Sequence, residues 1–312
     1  MAEHARRRKR SYPKDQRNLD LHILPAWAAR PFASISRGDV IELLEGLIAN
    51  GKPTLCNRVQ ALISGIFNFG IDAGVVNANP AFRLKRRGVE RTGTRVLSDE
   101  EVRLFWRRIG LPPSSQRVGL GLQLILLTGV RVSEAAGIAR SELTHIDQPE
   151  KAAWIIPGNR TKNGRVHYVP LPSAARQIVL ELLDQAKDRS PFLLWNRRRP
   201  SEPMRGTTLS NAMIRFGASL IGSGEVEKHW RSDPPSPHDL RRTLGTRLSS
   251  LGVPKEDREA VLNHTPGGVT SKHYDLYDRA SEKRRALSTW DVALAAILTP
   301  APNVIPLARR HT

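Results

Sequence analysis

The chain has one cysteine, few acidic residues for its many basic ones, and no long hydrophobic run. The single cysteine, Cys56, excludes an internal disulfide framework and a cysteine-based zinc finger, and it fits a reducing cytoplasm. No segment approaches the ~18 consecutive apolar residues that a membrane span requires. The charged N-terminus lacks the apolar segment of a secretory signal. These absences predict a cytoplasmic protein that does not span a membrane.

Basic residues dominate the charge of the chain. Its 312 residues include 49 Lys and Arg against 30 Asp and Glu, a formal net charge of +19. Three basic runs stand out, namely Arg6–Arg10, Lys85–Arg87 and Arg197–Arg199. Such a surplus favours a polyanionic partner, nucleic acid first and an anionic membrane second. We find no basic amphipathic helix with an aromatic face, which disfavours the membrane.

Two helices are predicted in the first third of the chain. One begins after Ser36 and stops at Gly51. The other is capped by Thr54, and its apolar residues recur at spacings of three and four, which makes one buried stripe. These are Val59, Leu62, Ile63, Ile66 and Phe67. The pattern predicts a small helical domain over 19–84, preceded by a basic flexible arm over 1–18.

A polar, basic and glycine-containing segment over 85–96 is predicted to link this domain to a second one over 97–290. The second domain opens with a capping box formed by Ser98 and Glu101. A nearly continuous apolar run over 119–127 predicts a buried helix that breaks at the following Thr-Gly pair.

A short β-hairpin is predicted in the middle of the second domain. Its strands are Ala153–Ile156 and Val166–Val169, and Asn163-Gly164 between them is a strong turn signal. The rest of the domain is mostly helical. The predicted fold class is therefore mainly α with a small β-hairpin or sheet, α+β. An apolar C-terminal tail follows over 291–312.

Six side chains in four places could act together on a phosphate. They are Arg131, Lys162, His238, Arg241, His264 and Tyr274. Each alone is a weak signal, because isolated charges are usually solvated. Together they suit phosphoryl transfer, since two guanidinium groups can clamp phosphate oxygens. A tyrosine becomes a nucleophile where a proton acceptor or strong positive charge lies nearby.

The order and spacing of these residues resemble the tyrosine recombinase (phage integrase) family. Thr-Gly-x-Arg-x-Ser-Glu surrounds Arg131, His-x-Leu-Arg ends at Arg241, Leu-Asn-His ends at His264, and Tyr274 follows ten residues later. The resemblance implies a helical core-binding domain and a tyrosine-recombinase catalytic domain. It implies a site-specific DNA recombinase, an integrase, that cuts and rejoins DNA through a 3′-phosphotyrosine intermediate with neither ATP nor metal.

The resemblance also implies roles for the residues that hold the phosphate. Arg131 and Arg241 would bind the scissile phosphate and stabilise its pentacoordinate transition state, and His264 would donate a further hydrogen bond to it. Glu134 would support the arginines. Asn263 occupies a position where the family usually has glycine, and asparagine tolerates the left-handed backbone better than most residues.

Three residues would move the protons and form the covalent bond. Tyr274 would attack phosphorus, His238 would accept its proton, and Lys162 would protonate the departing 5′-oxygen. Tyr277 is a rival nucleophile, although the His-Tyr-Asp context favours Tyr274. Lys151 is the nearest competitor of Lys162.

The implied partner is double-stranded DNA with a specific core site, bound by a homotetramer, with accessory DNA-bending or directionality proteins beside it. In this family a C-terminal helix packs on a neighbouring subunit, so the tail over 291–312 packs either in trans or on its own domain. The second helix of the first third is the candidate reader of DNA. The DNA-contact candidates are Asn57, Arg58, Arg86 and Arg87.

Two alternative functions remain at this stage. A type IB topoisomerase has a chemically similar site, but the small helical domain and linker differ from a large clamp. A DNA-binding protein that has lost catalysis would be equally basic, because neutralising phosphates requires no chemistry. The presence of the full catalytic set argues against such a loss.

Overall fold

The computed structural model describes residues 12–89, 93–264 and 279–299. The chain divides into two compact units, Met1–Thr92 and Gly93–Thr312, and the division falls inside the segment predicted as a linker. The described residues are mostly helical and include one three-stranded antiparallel sheet. The predicted α+β class is therefore confirmed.

The first unit is helical throughout its regular elements. Its helices are α1 (Tyr12–Asn18), α2 (Leu24–Trp27), α3 (Arg37–Ala49) and α4 (Pro53–Asp72), with a π-helical turn at Leu19–Ile23 and a 3₁₀ turn at Phe32–Ser34. Residues 12–18 thus differ from the flexible arm predicted for them. They form a helix because Asn18 is buried and the chain continues without a break into the π-helical turn.

Local signals account for most of α3 and α4. Ser36 and Asp39 form the capping box that starts α3. The predicted cap of α4 at Thr54 is wrong, because Pro53 takes the first helical position, where its missing N–H costs nothing. Val59 and Phe67 of the predicted stripe are buried in the core of this unit.

The second unit holds nine helices and three strands among its described residues. They are α5 (Asp99–Arg108), α6 (Gln116–Thr128), α7 (Val132–Ala136), β1 (Leu143–Thr144), β2 (Ala153–Ile156), β3 (His167–Pro170), α8 (Ser173–Ala186), α9 (Gly206–Ser219), α10 (Glu225–Ser232), α11 (Pro237–Ser250), α12 (Lys255–Val261) and α13 (Ala280–Leu298). In the part of the chain that the structure describes, no helix combines the length and apolarity that a membrane crossing needs.

Helix α6 is the centre of the second unit. Ten of its residues are buried, and α6 packs against α8, α9, α11 and α13. The capping box of Ser98 and Glu101 starts α5 as predicted. Because most of α6 is buried, the loop that leaves it can carry polar residues into the interior of the unit.

The sheet has the order β1-β2-β3, with both pairs antiparallel. Trp154 pairs with Val169, and Ile156 pairs with His167. The predicted hairpin is therefore present, although its second strand begins at His167 because the preceding Val166 is exposed. Strand β1 was not predicted, since two residues are too short to show a period of two.

Helix α13 crosses the predicted domain end at residue 290. Trp290 is fully buried and donates from Nε1 to the carbonyl oxygen of Leu126 at 3.0 Å. Leu294, one turn later, is also buried in the core of the second unit. Residues 291–298 therefore pack on their own unit, which is one of the two alternatives expected for the tail, and residues 300–312 lie outside the described part of the chain.

Candidate active site

Arg131 is held at the start of α7 by Glu134. Helix α6 ends at Gly129, which has a left-handed φ of 69°. The chain then turns so that Arg131 precedes the first residue of α7. The fully buried carboxylate of Glu134 accepts from the Arg131 backbone N–H at 2.8 Å and from Nη1 at 3.0 Å. This capping contact fixes both the backbone and the guanidinium of Arg131.

Arg241 lies on α11 and is 3% exposed. Its Nη1 donates to the carbonyl oxygen of Gly129, and its Nη2 donates to that of Leu262. Burial, and then the positive charge of Arg131, lower the pKa of Arg241 to about 10, against the opposite effect of Glu134. The guanidinium stays charged at neutral pH, and backbone carbonyls compensate for its removal from water.

His238 and His264 complete the group. His238 lies one turn before Arg241 on α11, and His264 follows Asn263, whose φ of 45° is left-handed as the asparagine predicted. Partial removal from water, and then Arg242 and Arg241, lower the pKa of His238. Partial removal from water, and then the positive charges of Arg241 and Arg131, lower the pKa of His264. Both imidazoles are therefore neutral at neutral pH, and a neutral imidazole can accept a proton.

Three of these four side chains border an open cleft. His238, Arg241 and His264 line a cavity of about 500 Å³, together with Lys255 and Arg258. Its cationic groups are offset by the carboxylate of a single lining residue, Glu259. A cleft of this charge and size suits a phosphate group of a larger substrate.

Three consecutive carbonyl groups at the C-terminal end of α12, those of Val261, Leu262 and Asn263, tie the site together. The Val261 oxygen accepts from His167 Nε2 at 3.1 Å, and the Leu262 oxygen accepts from Arg241. The Asn263 oxygen accepts from Arg131 Nη2 at 3.2 Å. Each side chain comes from a different element, so the turn before His264 is the point where β3, α11 and the start of α7 meet.

Sequence reasoning missed His167. Burial, and then the positive charges of Lys283 and Arg241, lower its pKa to about 3, which keeps the ring neutral. With a carbonyl at Nε2, the ring donates there and its Nδ1 has no partner among the described residues. In the sequence this histidine is an ordinary strand residue, and no motif marks it.

Lys162 lies in the loop from Pro157 to Val166 and is exposed. The next residue, Asn163, donates from Nδ2 to the carbonyl oxygen of Asn263 at 3.2 Å. The loop therefore reaches the turn that carries His264. The competitor Lys151 precedes β2 and so lies at the opposite end of the hairpin. This placement favours Lys162, whose role stays a prediction.

The predicted nucleophile belongs to a segment that the structure does not describe. Tyr274 and its rival Tyr277 both lie outside the described residues. The structure thus brings together four of the six predicted side chains, Arg131, Arg241, His238 and His264, and ties the loop of the fifth to them.

One DNA-contact candidate needs correction. Asn57 is buried, its Nδ2 donates to the carbonyl oxygen of Gly88 at 2.8 Å, and its Oδ1 accepts from the Gly88 N–H at 3.0 Å. It therefore holds the end of the first unit and is not free to read a base. Arg87 forms an ion pair with Glu45, whereas Arg58 and Arg86 are exposed.

A second basic cleft lies between the start of α6, the segment before α9, and α9 itself. Its volume is about 740 Å³. Its arginines are Arg117, Arg197, Arg198, Arg205 and Arg215. The guanidinium of Arg117 lies 3.4 Å from the ring centroid of Trp195. Burial, and then Arg197 and Arg189, lower the pKa of Arg117. In this region only the basic run Arg197–Arg199 stood out in the sequence, and the cleft was not predicted from it.

Comparison with known proteins agrees with this geometry. Residues 95–279 match the family described as "Phage integrase family", and residues 1–87 match "Phage integrase central domain". The chain belongs to the phage integrase family. The resemblance to tyrosine recombinases is thereby confirmed, and with it the general activity of cutting and rejoining DNA in site-specific recombination.

Individual relatives are distant. Prophage integrase IntA of Escherichia coli (strain K12) is 24% identical over 285 residues, which cover 90% of this chain but only 64% of IntA. Tyrosine recombinase XerC of Roseiflexus castenholzii is 24% identical over 290 residues, 87% of this chain and 88% of that protein. A structure of a lambda integrase tetramer bound to a Holliday junction has a TM-score of 0.65 at 18% identity, covering 88% and 75% of the two chains. At that identity the structural likeness shows the fold.

Proposed function

We propose that the protein is a site-specific DNA recombinase that breaks and rejoins one strand at a time through a 3′-phosphotyrosine. The observation that carries the proposal is the pair of guanidinium groups, Arg131 and Arg241. Each terminal nitrogen of either side chain gives one hydrogen to a protein acceptor, either a carbonyl or Glu134. Each nitrogen keeps a second N–H. Four donors remain for the non-bridging oxygens of one phosphate.

The chemistry follows from these donors. The hydroxyl oxygen of Tyr274 attacks phosphorus, a Tyr–O–P bond forms, and His238 accepts the phenolic proton. The P–O5′ bond breaks, and Lys162 gives a proton to the departing 5′-oxygen. A 5′-hydroxyl of another strand then reverses the step, so that the number of phosphoester bonds is conserved. The arginines and His264 stabilise the added negative charge of the transition state, which is usually the largest contribution in such reactions.

A suicide substrate tests this function. In this substrate a nick lies close to the cleavage position, so cleavage releases a short fragment that carries the free 5′-hydroxyl. Once this fragment diffuses away, the strand cannot be rejoined and the covalent adduct is trapped. Tyr274→Phe is expected to abolish the adduct while DNA binding persists, and Tyr277→Phe is the matched control that keeps it. An adduct that survives in Tyr274→Phe would show that the nucleophile is misassigned. Binding without an adduct in the parent protein would favour an inactive DNA-binding protein.

A second assay separates the topoisomerase alternative. A type IB topoisomerase relaxes supercoiled plasmid without a specific site, whereas a recombinase needs its core sequence. Incubation with generic supercoiled plasmid is therefore expected to leave the supercoiling unchanged. Relaxation of that plasmid would favour the topoisomerase function.

For its partners, we propose that the protein binds duplex DNA at a core site as a homotetramer. We also propose that it acts at the nucleoid together with accessory DNA-bending or directionality proteins. The tetramer of lambda integrase supports the assembly, and the arginine cleft beside Trp195 supports the DNA contact. Within the described chain, the five arginines of that cleft form no ion pair, while neighbouring Arg199 pairs with Glu202 at 3.1 Å.

The arginine cleft gives its own test. Replacing Arg197 and Arg198 by Ala should weaken DNA binding and reduce the slope of log affinity against log salt by about one per lost phosphate contact. Arg199→Ala is the matched control from the same run, because Glu202 already neutralises it. Equal salt slopes in the parent and the double variant would exclude the cleft from the DNA interface.

A further inference from the structure

The loop that carries Lys162 is tied to the turn that carries His264 by two asparagine side chains. Asn163 donates from Nδ2 to Asn263 Oδ1 at 2.9 Å and to the Asn263 carbonyl oxygen at 3.2 Å. The two residues are 100 positions apart in the chain. The same carbonyl oxygen accepts from Arg131 Nη2 at 3.2 Å. The contact therefore joins the loop directly to the group that would bind the phosphate.

The orientation of both amides follows from their partners. The backbone N–H of Arg165 donates to Asn163 Oδ1 at 3.2 Å, so the other end of that amide, Nδ2, is the donor that faces Asn263. A donor there requires an acceptor opposite, which identifies the facing atom of Asn263 as Oδ1. These hydrogen bonds assign both amide orientations, and in this arrangement Asn263 Nδ2 is buried with no hydrogen-bond partner among the described residues.

The residue on the other side of Lys162 is anchored as well. The buried hydroxyl of Thr161 lies 3.0 Å from the Gly158 carbonyl oxygen and 2.7 Å from that of Arg165. These contacts close the loop on itself. They do not set its position relative to the rest of the site, because all three residues belong to the loop. Two residues of the loop connect it to the rest of the site. Arg160 Nη2 donates to the carbonyl oxygen of Glu134 at 2.6 Å, and Asn163, directly after Lys162, donates to Asn263.

The lysine between these anchors has a long, flexible side chain. An ammonium group on four rotatable bonds loses much conformational entropy when it must meet one oxygen atom. Fixing the backbone on both sides of Lys162 reduces the volume that the ammonium group samples. Small errors in such positioning cost large factors in rate.

We propose that Asn163 and Asn263 form a latch that positions Lys162 for proton donation to the departing 5′-oxygen. Both are positioning residues, and neither donates the proton. The proposal rests on the proposed function, in which Lys162 is the proton donor. Asn263 occupies a position where the family usually has glycine. The hydrogen bond from Asn163 to Asn263 Oδ1 therefore needs a side chain that a glycine would not provide.

The test compares two suicide substrates, one ordinary and one with sulfur in place of the 5′-bridging oxygen at the scissile phosphate. A thiolate leaves without being protonated, because thiols have a pKa of about 8.5, far below that of an alcohol. Asn163→Ala is expected to slow adduct formation about tenfold to a hundredfold on the oxygen substrate. On the sulfur substrate its rate should stay within about threefold of the parent rate, since no proton donor is needed.

Lys162→Ala is the matched control. Its rate of adduct formation should fall about a hundredfold to ten-thousandfold on the oxygen substrate and should return toward the parent rate on the sulfur substrate. Combining it with Asn163→Ala should cause no further loss, because the latch acts through the lysine. Asn263→Gly removes Oδ1 but suits the left-handed backbone, so it folds and is expected to show the same pattern with a smaller loss.

The outcomes separate the two proposals. If Lys162→Ala recovers on sulfur but Asn163→Ala and Asn263→Gly are slowed equally on both substrates, the residues are merely structural and the latch is wrong. Full activity of both asparagine variants on the oxygen substrate would also overturn it. If Lys162→Ala fails to recover on sulfur while adduct formation persists, the proton-donor assignment falls, and the latch falls with it.

Discussion

Glu134 binds Arg131 twice, through the backbone N–H and through the guanidinium, with one carboxylate that is completely buried. The same contact caps α7 and orients a side chain that would hold the phosphate. We therefore expect folding and catalysis to depend on the same carboxylate.

Replacing that carboxylate by an amide should affect both properties. Glu134→Gln removes the negative charge and places an NH₂ group against a donor of Arg131. We expect the free energy of unfolding to fall by about 2–4 kcal/mol and adduct formation to slow about tenfold to a hundredfold. Chemical denaturation and the suicide-substrate assay measure the two effects.

Glu101→Gln is the matched control for this prediction. Glu101 is also a buried carboxylate in a capping box, and it pairs with Arg95 at the start of α5. This variant should lose stability while the folded protein forms adduct at the parent rate. A similar slowing in both variants would contradict a specific role for Glu134.

The pH dependence of cleavage should respond to Arg242. The pKa of His238 lies below its usual value of 6.5, and Arg242 is the largest electrostatic cause after partial removal from water. The base form of His238 therefore persists below pH 6.5, and the rate falls only as the pH drops through the lowered pKa. Arg242→Gln should raise this pKa and move the acidic limb of the pH–rate profile to higher pH.

Arg247→Gln is the control for that shift. Arg247 lies on the same helix and pairs with Asp99, and it is not among the groups that perturb His238. The acidic limb of the pH–rate profile of Arg247→Gln should coincide with that of the parent protein. An unmoved limb in Arg242→Gln would show that another group governs the acidic side of the profile.

His167 should make the second unit sensitive to acid. Its pKa in the folded protein is about 3, against a usual value of 6.5. Between these values the unfolded chain binds a proton that the folded chain does not, so stability falls as the pH drops below 6.5. The slope approaches about 1.4 kcal/mol per pH unit for this group.

His167→Gln removes the titration but keeps a donor for the Val261 carbonyl. As the pH falls from 7 to 4, the parent should therefore lose more free energy of unfolding than the variant does. Urea titrations of both proteins at each pH measure this difference. A difference that stays constant over that range would mean that His167 does not contribute to acid sensitivity.

Gly129 combines a left-handed backbone with a close neighbour, so a side chain should be poorly tolerated there. Its φ is 69°, and an added Cβ would lie 2.4 Å from Leu244 Cδ2. Its carbonyl oxygen also accepts from Arg241. Gly129→Ala should lower the free energy of unfolding by about 2–4 kcal/mol, from left-handed strain and overpacking together, and should slow cleavage.

Gly252→Ala separates the two causes. Gly252 has a φ of 77° with nothing within 4 Å of an added Cβ, so only the strain of about 1–2 kcal/mol applies. Thermal or urea unfolding compares the two variants. Equal losses would show that contact with Leu244 contributes nothing.

Short-range features were the most predictable from sequence. The helix start after Ser36, the capping box of Ser98, the break at Gly129 and the left-handed Asn263 all depend on residues within a few positions of one another. Strand β1 was missed because two residues are too short to show a period of two. The burial of Asn57 was misjudged because its partner, Gly88, lies 31 positions along the chain.

The sequence by itself determined the residue types, their order and several of the local signals that start and stop helices, since these follow from backbone conformation and neighbouring side chains. Tertiary structure alone decided which carbonyl groups Arg131, Arg241 and His167 would bind and where the loop of Lys162 would be tied. The physical reason is that a buried polar group must find a partner, and only packing brings a donor within reach of an acceptor more than a hundred residues away.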